Sequence, residues 1–99
     1  MADENYKLIF KALADDIRLE IIGMLNKNDL CACKILESFE ITQPTLSYHM
    51  KALCESGLVS SRKEGVRIWY SLNKERLENV SKLLANLSSG GKVPENCDC

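Results

Sequence analysis

Ninety-nine residues, 45 % hydrophobic and 27 % charged, describe one folded domain with a modest core rather than a disordered chain. The net charge of −1 argues against non-specific coating of nucleic acid, although Lys51, Arg62, Lys63 and Arg67 against Glu55 and Glu64 leave +2 between Gln43 and Leu72. No apolar run approaches the roughly 18 residues of a membrane span, and the acidic, polar start MADENYK is no secretory signal. The cytoplasm is the expected location, with no membrane partner.

In chain order, Glu4 to Ala14 are predicted as a first helix, with Tyr6, Ile9, Phe10 and Leu13 at helical spacing. Asp15 or Asp16 caps a second helix in which Ile17, Ile21, Met24 and Leu25 face inward, and the turn formers Asn26 to Asp29 end it. A short third helix, Leu30 to Ser38, carries Cys31 and Cys33 in its first turn and is anchored by Ile35, Leu36 and Phe39. Ser38 to Thr42 is short enough for the tight turn of a helix-turn-helix unit.

The stretch Ile41 to Val59 supplies the next helix. Thr42 is its N-cap, Pro44 sits in the first turn where a missing N–H is harmless, and Gly57 stops it. Leu46, Met50 and Leu53 form the buried stripe, which leaves Ser47, Tyr48 and Lys51 outside it and Gln43 and Thr45 at the N-terminus. Short hydrogen-bonding side chains opposite a buried stripe suit a DNA major groove. An ordinary solvated surface helix has the same pattern.

From Val59 the period changes to that of strands. Glu64-Gly65 reads as a two-residue hairpin turn between Val59–Lys63 and Val66–Leu72, so that Val59 faces Tyr70, Ser61 faces Ile68 and Arg62 faces Arg67. Two facing arginines repel, and a DNA phosphate between them would offset the repulsion, making the hairpin a wing. Trp69 shares a strand face with Arg67 and is expected to pack within the wing. Asn73 caps a last helix, Lys74 to about Ser88, whose Leu77, Val80, Leu84 and Leu87 make a narrow seam suited to a dimer interface shared with the first helix. Residues 1–88 are thus expected to form the domain, and 89–99 a flexible tail after the Ser88-Ser89-Gly90-Gly91 break.

Four of the five cysteines fall in two C-x-C pairs, Cys31/Cys33 and Cys97/Cys99. Such a pair is too close for an easy disulfide but suits two thiolates on one soft ion. Within an intact helix, residues two apart point about 200° from each other. Cys31 and Cys33 can therefore share an ion only if the first turn loosens or Cys31 precedes the helix. Cys54, beside the buried stripe, reads as a core cysteine.

Helices, a candidate recognition helix, a β-wing and a final dimerising helix make a mainly α winged helix-turn-helix. FKALADDIRLEIIGML at 10–25, LCACKILE at 30–37 and ITQPTLSYHMKALCESGLVSSRKEGVRIWYSL at 41–72 closely resemble the ArsR/SmtB family of metal-responsive bacterial repressors. The resemblance covers nearly the whole chain up to Leu87 and keeps the order of the family's motifs. It implies a homodimer that binds a palindromic operator and leaves it when a metal or metalloid binds, with Gln43, Thr45, Ser47, Tyr48 and His49 approaching DNA. Lys51, Arg62 and Arg67 would meet phosphates.

LCACK is similar to the C-x-C of the arsenic-sensing branch, which takes up As(III) or Sb(III). One well-known version has a further cysteine three residues after the second, where this chain has Leu36. The resemblance therefore implies a third thiolate from Cys97 or Cys99, with Cys54 the lesser candidate. Other members sense zinc through His and carboxylates on the last helix; here that helix has neither His nor Asp, and the chain's single His is His49. A Cd(II), Pb(II) or Zn(II) sensor using all four C-x-C thiolates is the alternative within the family. A repressor switched by thiol oxidation is another. An enzyme is not expected, since the chain has no C-x-x-C and His49 and Cys54 diverge on their helix.

Overall fold

A computed structural model describes residues 5–90; Glu4, the tail beyond Gly90 and with it Cys97 and Cys99 lie outside the described residues. The elements in order are α1 (Tyr6–Leu13), α2 (Asp16–Leu25), β1 (Leu30–Cys31), α3 (Ala32–Leu36), α4 (Gln43–Glu55), β2 (Val59–Glu64), β3 (Arg67–Leu72) and α5 (Lys74–Ser88). Four helices start on a polar side chain that accepts from the N–H three residues on. These caps are Asn5, Asp15, Thr42 and Asn73, at 3.2, 3.1, 3.3 and 3.1 Å. Each is worth about 1 kcal/mol against alanine. The choice between Asp15 and Asp16 falls to Asp15.

The core gathers Ile9 from α1, Ile21 and Leu25 from α2, Ile35 from α3, and the α4 stripe Leu46, Met50 and Leu53. Leu58, Val59 and Val80 close it from the C-terminal half. In α1 the inward pair is Ile9 and Ala12, three apart, which turns Phe10 about 100° away and leaves it 40 % exposed. Along α5, Val80 is buried and Leu77 half-buried, whereas Leu84 and Leu87 are 50 % and 69 % exposed. The expected seam runs off the edge of this domain.

Two expectations are corrected. The third helix does not begin at Leu30: Leu30 and Cys31 form a strand paired antiparallel with β3, Leu30 opposite Tyr70 and Cys31 opposite Trp69. The expected hairpin is therefore part of a three-stranded sheet, in the order β1-β3-β2. A two-residue strand is too short to show a period, yet it covers an edge of β3 that would otherwise be unpaired. Only Ala32–Leu36 is α-helical, with the extended Cys31 at its N-cap.

The hairpin register is also two residues off the expected one. Gly65 and Val66 are the loop, so Glu64 faces Arg67, Arg62 faces Trp69 and Val59 faces Leu72. Gly65 has φ +65, and among the described residues no non-glycine residue has a positive φ. That is the pattern of a loop with glycine at its first central position, not its second. A slip of two keeps every side chain on its face but changes its partner. Arg62 and Arg67 are not opposed, and the repulsion that called for a phosphate does not arise.

Gly57 (φ +84) ends α4, and Asn73 N–H donates to the Leu58 carbonyl at 2.7 Å, closing the sheet onto the helix end. A Cβ at Gly57 would meet the Arg76 guanidinium at 2.7 Å, whereas nothing lies within 4 Å of one at Gly65. Both Gly57→Ala and Gly65→Ala carry left-handed strain of about 1–3 kcal/mol. Gly57→Ala also displaces Arg76, so its urea midpoint should fall further than that of Gly65→Ala; equal losses would remove the Arg76 contact as a contributor.

Candidate nucleic-acid face and thiol site

One side of α4 is held down and the other presented. Thr42 and Pro44 start the helix; Gln43, Thr45, Ser47, Tyr48 and Lys51 are exposed, Tyr48 to 65 %. His49 is not among them. Its ring is only 7 % exposed and Nδ1 accepts from Arg18 Nε at 3.0 Å. The expectation that His49 approaches DNA is amended: it packs inward against α2.

Arg18 was not singled out as a functional residue from the sequence, and it organises this edge. Its guanidinium lies 5.5 Å from the centre of the Tyr48 ring and donates to the Lys11 carbonyl at 3.3 Å as well as to His49. Asp15 caps the Arg18 backbone and lies 3.8 Å from His49 Nδ1. Tyr48 meets His49 edge-on at 5.7 Å. The exposed Tyr48 is thus seated from below by α2 and by its own helix neighbour.

In the wing the two arginines have different surroundings. Arg62 donates to Glu64 at 2.8 Å, to Asp29 at 3.2 Å and to Ser71 at 3.0 Å, and lies 5.8 Å from the Trp69 ring centre. Its charge is already matched by two carboxylates. Arg67 instead lines a cleft of about 300 Å³ with Cys31, Cys33 and Leu36, and with Gln43 and Ser47 of α4.

That cleft holds the first cysteine pair. Because Cys31 is extended and Cys33 lies in the first turn of α3, the two sulfurs converge to 3.0 Å instead of diverging. Both are free thiols. The Cys31 thiol is shifted down, first by the hydrogen bond with Cys33, then by the Lys34 backbone N–H and, against the effect of burial, by the positive field of Arg67. Cys33 is shifted up, first by that same hydrogen bond, then by burial and by the charge on Cys31. The shared hydrogen bond thus favours ionisation of Cys31 before Cys33.

Cys54 is half-buried, its thiol shifted up by burial and then by Glu55, as suits a core cysteine. Among the described residues no group of three His, Cys, Asp or Glu is placed to hold a metal ion. Also among them, no helix is long and apolar enough to cross a membrane.

Residues 15–61, from the α2 cap to the first residues of β2, match the model of bacterial regulatory proteins of the arsR family. Over all 99 residues the chain is 40 % identical to the arsenical resistance operon repressor of Staphylococcus aureus and covers 92 % of it. The chain belongs to the ArsR family. Another relative is the cadmium resistance regulatory protein CadC homolog of Staphylococcus aureus, 36 % identical over 73 residues, which are 73 % of this chain and 60 % of that one. Among solved structures, an ArsR family transcriptional regulator superposes with a TM-score of 0.79 at 26 % identity, covering 85 % of this chain and 87 % of that one. An ArsR-family chain is a DNA-binding transcriptional regulator, not an enzyme, and its winged helix-turn-helix is the fold described above.

The hydrogen bond between Cys31 and Cys33 can be tested in this ArsR-family protein by thiolate absorbance in the ultraviolet, read as the difference from the Cys31→Ser variant. Cys33→Ala removes the main influence that lowers Cys31, so its titration should move to higher pH. Arg67→Gln should move it the same way by less. If both variants titrate like the parent, neither Cys33 nor Arg67 influences the Cys31 thiol.

Proposed function

We propose that the protein is a transcriptional repressor that leaves its operator when As(III) or Sb(III) binds the thiolates of Cys31 and Cys33. The observation that carries this reading is the 3.0 Å approach of the two sulfurs in a cleft whose other walls belong to α4 and the wing. Sulfurs about 2.3 Å from a shared ion lie roughly 3.3–3.8 Å apart for bond angles from 90° to tetrahedral, so only a few tenths of an ångström of movement is needed. The name of the Staphylococcus aureus relative supports the same inducer class. A trigonal As(III) site takes its third thiolate from Cys97 or Cys99, since ten residues beyond Ser89 have a fully extended reach of about 30 Å.

On the DNA side, Gln43, Thr45, Ser47 and Tyr48 read base edges and backbone, and Lys51 and Arg67 meet phosphates. Arg62 braces the wing through Glu64, Asp29 and Trp69 rather than binding phosphate. Two copies associate through α1 and α5. The exposure of Leu8 and Phe10 on one and of Leu84 and Leu87 on the other supports this. Release follows from position: drawing the thiols onto an ion shifts the first turn of α3 against β1, and so moves α4 relative to the wing.

The likeness to a cadmium resistance regulator favours one second reading, in which Cys31, Cys33, Cys97 and Cys99 hold Cd(II), Pb(II) or Zn(II) tetrahedrally. X-ray absorption separates the two by counting sulfur neighbours around the bound ion. For the primary reading, Cys33→Ser should bind an operator selected from a random duplex pool as tightly as the parent, by fluorescence anisotropy, yet fail to release it on adding arsenite. Loss of DNA binding, or normal release, would remove Cys33 from the sensor.

A further inference from the structure

We infer that Arg18 of α2 determines operator specificity without reading bases itself, as the positioning residue that fixes the Tyr48 ring on the exposed side of α4. The inference rests on the reading of Tyr48 as a DNA contact and names the group that sets its direction. What carries it is the convergence on one side chain of contacts from α1, α2 and α4.

Tyr48 is 65 % exposed, and an exposed tyrosine on a helix has more than one staggered χ1 position open to it. Confining such a side chain on binding costs entropy unless it is confined beforehand. Here the Arg18 guanidinium lies over the ring, 5.5 Å from its centre, and the His49 ring meets it at 5.7 Å with 62° between the planes. A cation is drawn to the electron-rich face of a phenol ring, so the contact favours the one rotamer that brings them together.

A fixed point must itself be held. The Arg18 backbone N–H donates to the Asp15 carboxylate at 3.1 Å, at the start of α2. Its Nε donates to His49 Nδ1 at 3.0 Å, and its Nη1 to the Lys11 carbonyl of α1 at 3.3 Å. Two donors of one rigid plane, each with its own acceptor, fix the orientation of the guanidinium; a lysine ammonium on a flexible stem has no such fork. His49 is only 7 % exposed, so the Nε acceptor is set by the packed interior rather than by the surface. The direction of Tyr48 is thereby set by the packing of three helices and not by α4 alone. A ring aimed before DNA arrives favours the base pairs that suit one geometry, whereas a free ring adapts to several.

The test measures anisotropy of the full chain on the selected operator, on copies of it with single base-pair changes, and on an unrelated duplex. Tyr48→Ala marks the base pairs at which Tyr48 contributes. Arg18→Met should lose roughly fivefold on the operator, relax preference at those same base pairs and leave the unrelated duplex unaffected. In the Tyr48→Ala background it should change operator affinity by less than about twofold. His49→Leu should follow Arg18→Met without touching Arg18, whereas His49→Asn, which keeps an oxygen acceptor, should stay near the parent. Urea midpoints check that each variant is folded, and the 3-fluorotyrosine resonance that Tyr48→Phe removes should shift in Arg18→Met without DNA. Arg18→Lys keeps the charge and should stay below the parent in selectivity; full recovery would overturn the inference. If Arg18→Met instead weakens operator and unrelated duplex alike, lowers the salt slope by about one and does so equally without Tyr48, Arg18 is a phosphate contact. The inference then falls and the reading of Tyr48 stands. If Tyr48→Ala leaves operator affinity unchanged, the reading of Tyr48 falls and the inference with it.

Discussion

The structure depends on a two-residue strand pairing. Leu30 and Cys31 leave the turn after α2 in extended form and hydrogen-bond along β3, so that Cys31 stands opposite Trp69. Had the third helix begun one turn earlier, Cys31 and Cys33 would point to opposite faces, about 200° apart, and no ion could bridge them. The switch from strand to helix between Cys31 and Ala32 turns the first sulfur onto the second. The same strand fastens the thiols to the wing, because β3 is the central strand of the sheet.

Electrostatics divides the wing into a brace and a working surface. Arg62 is neutralised by Glu64 and Asp29 and laid across Trp69, an arrangement that joins the turn after α2 to β2 and β3. Arg67, two residues from Trp69 on the same strand face, stands in the cleft and lowers both cysteine thiols by its field. A cation there favours the first thiolate without taking part in its hydrogen bonds. Burial opposes it, and the hydrogen bond between the two sulfurs lowers Cys31 while raising Cys33.

Much of this was legible in the chain itself. The α4 stripe Leu46-Met50-Leu53, the Thr42 cap and the Gly57 stop follow from helical period and capping chemistry, and all three stand as read. So does the order of helices, hairpin and final helix, since each has a cap or a turn former at its border. Two of the misses share a cause. The pairing of β1 with β3 and the burial of His49 under Arg18 are contacts between segments far apart in sequence, 38 residues for Cys31 and Trp69 and 31 for the Arg18–His49 bond. No local period encodes them. The hairpin register failed differently: a Glu-Gly pair fits glycine as the second loop residue, and only its φ, with Val66 left out of the left-handed region, shows it to be the first. That two-residue difference changed the partner of each wing arginine and removed a phosphate that the sequence had called for.

The placement of the cleft bears on how a ligand there would govern DNA binding. A site on the last helix would have to act across the core, whose close packing resists graded deformation. The cysteine cleft needs no such path, because α4 and the wing are themselves its walls through Gln43, Ser47 and Arg67. Tyr48, on the far edge of α4, is seated by Arg18 and His49 and so held to α2. The recognition helix is consequently clamped on one side by α2 and bordered on the other by the thiol cleft. On the proposed function, a movement at the thiols would tilt it about the α2 contact instead of displacing it bodily. The N-terminal turn, with Gln43 and Ser47, would then move most, and on the proposed function these are side chains that a major groove would constrain closely.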